Sequence, residues 1–269
     1  MASTKRPNRY TQIIETIFAR KYREGMTSIP FDRAELITTA TELGIDIPKN
    51  IGDVIYSFRA RTAFPESIQE KAPAGQSWVI VSRGRSQYAF ELRALARIRP
   101  DEMLPIVKIP DATPGIVARY ALSDEQALLS RIRYNRLLDI FTGVTCYSLQ
   151  NHLRTTVRDI GQVETDEIYV GVDKRGAHYV FPVQAKGGTD ELSVIQIEQD
   201  LALCLEKFPA LEARSIAAQF MADDVIALFE FSIDEEKDIV KLAERHYRLV
   251  PVEELSDAEL NAYRHRLEN

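Results

Sequence analysis

The chain has 269 residues, of which 45% are hydrophobic and 28% charged, so it is long enough for one large domain or two modest ones with a substantial core. Its net charge of −6 argues against an indiscriminate polyanion binder, and no apolar run approaches the roughly 20 residues that cross a bilayer. Residues 1–25 are too charged for a signal peptide, and Cys146 and Cys204 lack metal-ligand spacing, so we expect a cytoplasmic protein with buried thiols.

Charge is distributed unevenly along the chain. Residues 1–100 hold 16 Lys and Arg against 10 Asp and Glu, a balance of +6, whereas residues 101–269 hold 18 against 30, a balance of −12. A basic amino-terminal part joined to an acidic remainder is the pattern expected of a DNA reader attached to a second domain.

The first 95 residues predict a helix, a short strand, two further helices and a hairpin. Apolar residues at helical spacing indicate that the first helix begins near Tyr10. Asp32 is a candidate N-cap for the second helix, which ends at Gly44. A third helix follows, and the strands of the hairpin are predicted over residues 77–81 and 87–92.

This order of elements resembles a winged helix-turn-helix. The resemblance implies that the third helix, predicted over residues 49–61, enters the major groove and that the tip of the hairpin holds phosphates or the minor groove. The side chains that would contact DNA are Lys49, Asn50, Ser57, Arg59 and Arg61 on the helix, and Arg83 and Arg85 at the hairpin tip. A small α/β domain with a solvated polar helix face accounts for the same pattern.

The carboxyl-terminal part begins at a predicted boundary near Pro100, which gives domains of residues 1–100 and 101–269. Ser123 and Gln126 form a capping-box pattern that opens a helix to about Phe141.

A further helix is predicted over residues 145–157. Gln150 and Arg154 lie four residues apart and would share one face of it. An ordinary solvated surface is the preferred explanation for these polar residues.

Residues 161–188 predict two strands joined by a polar turn, with an alternation of apolar residues in the first strand. The polar residues at the ends of the strands are, in chain order, Glu164, Asp166, Glu167, Gln184 and Lys186. Residues two apart on a strand share a face, so Gln184 and Lys186 project together. The hairpin returns both of them towards Asp166.

These residue types suit a hard divalent cation and a reacting water. Mg²⁺ takes oxygen ligands, and we expect these to be Asp166, Gln184 and the backbone carbonyl of Ala185. Lys186 would position the water or offset charge in the transition state of phosphodiester hydrolysis. An amphipathic hairpin with a solvated polar edge accounts for the same residues.

The hairpin resembles the core of the PD-(D/E)xK nucleases, over residues 130–207. Thr165-Asp166 stands where that family has Pro-Asp, and Gln184-Ala185-Lys186 stands where it has an acid, any residue and Lys. Glu164, on the face of Asp166, would restore the charge missing at Gln184. The resemblance implies that residues beside the hairpin also line the site, and the candidates are Gln150, Arg154, Glu167 and Gln196.

The whole chain resembles a type II restriction endonuclease. The expected fold is α/β (α+β), with a winged-helix-like domain followed by a nuclease core whose mixed sheet is flanked by helices. The resemblance implies Mg²⁺-dependent hydrolysis of double-stranded DNA at a short sequence, a homodimer, and a companion DNA methyltransferase. Two alternatives stay open: a DNA-binding regulator with a degenerate nuclease-like domain, and a repair or structure-specific nuclease.

Overall fold

A computed structural model of the chain describes residues 9–46, 51–58, 64–84, 86–93, 97–120, 125–187, 192–234 and 239–265. None of the helices in these ranges has the length and hydropathy needed to span a membrane. The helices are α1 Arg9–Lys21, α2 Arg33–Glu42, α3 Gly52–Tyr56, α4 Glu66–Gln69, α5 Gly115–Tyr120, α6 Glu125–Tyr134, α7 Leu137–Thr142, α8 Val194–Lys207 and α9 Asp257–Arg264. The strands are β1 Ser28–Asp32, β2 Ser77–Ser82, β3 Gln87–Arg93, β4 Arg97–Ile98, β5 Ile106–Pro110, β6 Thr145–Val157, β7 Gly161–Val172, β8 His178–Lys186, β9 Leu192–Ser193, β10 Glu212–Ala213, β11 Ser215–Phe220, β12 Val225–Ile233 and β13 Ile239–Val250.

The protein is mixed α+β, and its largest sheet has eight strands flanked by helices, as the sequence predicts. The strand order is β5-β13-β12-β11-β8-β7-β6, with β10 beside β8. Strand β8 pairs antiparallel with β7 and parallel with β11, so both of its long edges are occupied. A strand held on both sides is a rigid support for the side chains that it carries.

The chain divides into two compact units. The first comprises residues 1–98, 154–163 and 193–199, and the second comprises residues 99–153, 164–192 and 200–269. The first segment of the first unit ends at Ile98, two residues before the predicted domain boundary at residue 100. The two short later segments of the first unit come from the ends of β6, β7 and α8.

The first unit contains an antiparallel sheet in the order β1-β3-β2, with α1 and α2 among its helices. Phe18 of α1 lies 5.1 Å from Trp78 and 5.2 Å from Phe90, ring centroid to ring centroid, and all three side chains are buried. Helix α2 begins as predicted: Asp32 is its N-cap, and the Asp32 carboxylate accepts a hydrogen bond from the backbone N–H of Glu35.

The core of the second unit lies between α6, α7 and one face of the large sheet. Leu128 and Ile132 of α6 pack with Phe181, Val183 and Ala185 of β8 in one buried cluster. This packing sets α6 along β8, with the first turn of the helix near the end of the strand. Both cysteines are buried and free, as expected.

The structure corrects two helix predictions. Residues 145–157 form strand β6 instead of a helix: three Thr residues, with Tyr147 and Val157, favour a strand, and the segment turns back through Asp159 (φ 62°) into β7. The helix predicted as far as Phe141 is two helices, because Arg136 takes a left-handed φ of 49° between α6 and α7.

Candidate active site

The site predicted from the sequence lies where β7 and β8 diverge. The two strands pair from Val172 and His178 to Glu167 and Val183, as predicted for a hairpin. The turn between them is closed by Asp173, whose Oδ1 accepts hydrogen bonds from the backbone N–H groups of Arg175 and Ala177.

Past the pair of Glu167 and Val183, on the side away from the turn, the two strands are joined by side-chain hydrogen bonds instead of backbone pairing. The N–H of Ala185 donates to Asp166 Oδ2 over 2.8 Å, and Gln184 Nε2 donates to the carbonyl oxygen of Glu164 over 3.1 Å. We call this diverging end of the hairpin, residues 164–166 of β7 and 184–186 of β8, the fork. It contains three of the predicted metal-binding residues, Asp166, Gln184 and Ala185. At the fork, the side chains of Asp166 and Gln184 make hydrogen bonds to the backbone of the opposite strand, where a regular hairpin would have backbone pairing.

Asp166 sits in an environment that disfavours its charged form. Burial raises its pKa above the ordinary range, and the N–H of Ala185 and the ammonium of Lys186 oppose this effect only in part. A cation beside such a carboxylate favours its charged form. Asp166 is thus chemically suited to be a metal ligand.

Lys186 is nearly buried, and its Nζ lies 3.0 Å from Oε1 of Glu125. Glu125 is in the first turn of α6, and its own side chain is 37% exposed. Sequence reasoning did not include Glu125 in the site. The capping-box pattern of Ser123 and Gln126 indicated the start of a helix there, but not the part of the sheet that the helix contacts.

Gln184 is 2% exposed and is also held from the other side by α8. Its Nε2 lies 3.2 Å from Oδ1 of Asp200, a fully buried residue. Burial raises the pKa of the Asp200 carboxyl well above its ordinary range, although the hydrogen bond from Gln184 acts in the opposite direction. Asp200 is a second residue that the sequence analysis missed.

Glu164 and Glu167 carry their carboxylates to different places. Glu164 lies at the surface, and its Oε1 is 3.5 Å from Nδ1 of His152. Glu167 is fully buried, and its Oε1 accepts hydrogen bonds from the guanidinium of Arg133 (2.8 Å) and from the hydroxyl of Ser148 (2.6 Å). Glu167 contacts these partners on the face opposite to Asp166, because consecutive strand residues point to opposite faces.

The remaining candidates of the nuclease core lie on β6 and α8. Gln150 and Arg154 lie on β6, where both are exposed, instead of on a helix. Gln196 is half-buried on α8 in the first unit, whereas Asp200 of the same helix belongs to the second unit.

Among the predicted DNA-binding residues, Arg83 has a partner within the protein. Its guanidinium pairs with the carboxylate of Glu91, which is buried in β3 and also lies 2.7 Å from Arg93. Ser57 is half-buried. The other members of the predicted DNA-binding set lie outside the residues that the structure describes, namely Lys49, Asn50, Arg59, Arg61 and Arg85.

The donor atoms at the fork fit a hard cation. Mg²⁺ binds carboxylate and amide oxygens of the kind that Asp166 and Gln184 carry. A further carboxylate, that of Glu125, is hydrogen-bonded to Lys186. No group of three or more His, Cys, Asp or Glu side chains suited to a metal occurs within the described ranges. A metal at the fork would therefore depend on amide, carbonyl and water oxygens in addition to carboxylates.

The chain matches no protein-family model, no curated protein and no solved structure.

Proposed function

We propose that the second unit is a Mg²⁺-dependent nuclease that hydrolyses phosphodiester bonds of double-stranded DNA. The observation that carries the proposal is the forked end of the hairpin, where Asp166, Gln184 and Lys186 converge with Glu125. Carboxylate, amide and ammonium groups that converge at the end of a hairpin can supply the metal ligands and the charge stabilisation that this hydrolysis needs.

In the proposed reaction, a water oxygen adds to phosphorus, a P–O ester bond breaks, and the leaving oxygen takes up a proton. Asp166, Gln184 and the carbonyl of Ala185 would hold Mg²⁺, which when bound polarises the phosphoryl group and lowers the pKa of the attacking water. Lys186 donates hydrogen bonds to the water or to the phosphoryl oxygens, and Glu125 fixes the position of its ammonium group.

The amino-terminal residues supply the proposed DNA reader. The sheet order β1-β3-β2 and the helices that precede β2 support a winged-helix arrangement, and residues 1–100 carry the basic charge balance of +6. Together with the nuclease core this corresponds to a type II restriction endonuclease, acting as a homodimer beside a cognate methyltransferase.

One observation favours a second candidate. Gln184 is neutral where the nuclease family has an acid, and a neutral ligand binds Mg²⁺ more weakly than a carboxylate. A DNA-binding regulator that retains the fold without the chemistry is therefore the alternative function.

Incubation of the protein with plasmid DNA and Mg²⁺ tests the proposal. Discrete fragments are the result expected of a restriction endonuclease. A smear or nicked circles would instead identify a repair or structure-specific nuclease. A mobility shift without any cleavage would identify the regulator and overturn the nuclease proposal.

A further inference from the structure

Two contacts show on which side the amide nitrogen of Gln184 lies. The carbonyl oxygen of Glu164, 3.1 Å away, can only accept a hydrogen bond, so the amide atom that faces it must be the nitrogen. The same nitrogen lies 3.2 Å from Oδ1 of Asp200. The two N–H groups of Gln184 thus have one acceptor each, and the amide oxygen is turned away from both.

Asp200 is well placed to hold this orientation. It lies on α8, is fully buried, and approaches Gln184 on the face of β8 opposite to the core cluster of Val183 and Ala185. A carboxyl group buried at this position is costly unless it is hydrogen-bonded, so its contact with the amide is favoured by the fold itself.

We propose that Asp200 is a positioning residue that fixes the amide of Gln184, so that the amide oxygen faces the site of Asp166 and Lys186 and serves as a ligand for the divalent cation. This inference rests on the proposed function for the identity of the cation. Asp200 acts in this role as a hydrogen-bond acceptor for Gln184. It does not act as a charged metal ligand in place of the acid that the nuclease family has at the position of Gln184.

An acceptor and a charged ligand respond differently to substitution. Asp200→Asn keeps an acceptor oxygen of the same shape, whereas Asp200→Leu removes it. We expect Asp200→Asn to bind Mn²⁺ within about threefold of the wild-type affinity and Asp200→Leu to lose about tenfold or more, the range found for partners that orient metal ligands. Mn²⁺ affinity is measured by titration in the absence of DNA, with circular dichroism as the control for folding.

An exchange of the two groups provides a second test. In Gln184→Glu, a carboxylate faces two acceptors and has no donor for either, so metal-free thermal stability should fall. Adding Asp200→Asn supplies an N–H donor to the new carboxylate, so the double variant Gln184→Glu/Asp200→Asn should recover most of the loss in metal-free thermal stability.

The inference is overturned by an equal loss of Mn²⁺ affinity in Asp200→Asn and Asp200→Leu, by wild-type Mn²⁺ affinity in Asp200→Leu, or by a double variant that is no more thermally stable than Gln184→Glu alone. Failure of the nuclease proposal is separately visible, because it is judged by plasmid cleavage and not by Mn²⁺ binding or metal-free stability. A wild-type protein that binds no Mn²⁺ also overturns the inference.

Discussion

The Nζ of Lys186 and the Oε1 of Glu125 lie 3.0 Å apart, which joins the end of strand β8 to the first turn of α6. The contact places the carboxylate of Glu125, in addition to that of Asp166, near the ammonium group that would act on the reacting water. It depends on the packing of Leu128 and Ile132 of α6 against the sheet, and therefore on the tertiary fold and not on any local pattern.

Glu125→Gln should reduce DNA cleavage by about 100-fold, because the ammonium of Lys186 loses the charge that fixes it. DNA affinity, measured by mobility shift with Ca²⁺, should change little. Glu253→Gln, at an exposed acid of the same unit, is the matched control and should cleave like the wild type. Cleavage by Glu125→Gln within threefold of the wild-type rate would remove Glu125 from the site.

The parts of the site that the sequence predicted are those that local rules determine. The hairpin of β7 and β8 follows from the alternation of apolar residues and from a polar turn. The hairpin brings Asp166, Gln184 and Lys186 to the same end of the two strands.

The remaining parts depend on contacts between distant segments. Glu125 and Asp200 reach the fork because α6 and α8 pack on the sheet, and no spacing in the sequence encodes that packing. Strand β6 was mistaken for a helix because its apolar residues do not mark a core face: Tyr147 and Leu149 are both exposed. Its content of Thr, Val and Tyr was the signal available for a strand.

Arg83 should contribute to the stability of the first unit. Arg83→Ala leaves the buried carboxylate of Glu91 with Arg93 as its remaining guanidinium partner, so the free energy of unfolding should fall by about 1–2 kcal/mol in denaturant titrations. Arg20→Ala, which breaks the exposed pair of Arg20 and Glu42, is the matched control and should cost less than about 1 kcal/mol. Equal losses in the two variants would contradict this role.

The same substitution separates folding from DNA binding. If Arg83 also contacts a phosphate, Arg83→Ala should reduce the slope of log affinity against log salt by about 0.9. We expect a smaller change, because Glu91 already engages the guanidinium. Arg85→Ala, at a second residue of the predicted DNA-binding set, provides the comparison and should give the full reduction in slope. The salt dependence of DNA binding by each variant measures this difference.

Glu244 should make the fold sensitive to acid. Its buried carboxylate accepts from Lys241 (2.7 Å), the N–H of Asp101 (2.7 Å) and His246 (3.0 Å). Burial alone would raise the pKa of Glu244, but these partners outweigh burial and lower it. A lowered pKa in the folded state adds stability that is complete above the unfolded-state pKa of about 4.3 and is lost as pH falls through the folded-state value.

Glu244→Gln should therefore lower the free energy of unfolding at pH 7 by about 2 kcal/mol and make its fall below pH 4.3 less steep. Chemical denaturation at several pH values between 7 and the acid limit of folding checks this. Glu102→Gln, at an exposed acid of the same unit, should leave the pH profile unchanged. A Glu244→Gln profile parallel to that of the wild type would show that Glu244 titrates alike in both states.

The rate of Mg²⁺-dependent cleavage by Asp166→Ala and Lys186→Ala tests the central claim most directly. If these side chains carry the chemistry, each variant should lose about 10³-fold in single-turnover rate, equivalent to about 4 kcal/mol of transition-state stabilisation, while DNA affinity in Ca²⁺ stays close to that of the wild type. Cleavage by both variants within tenfold of the wild-type rate would contradict the assignment of the active site to the fork of β7 and β8.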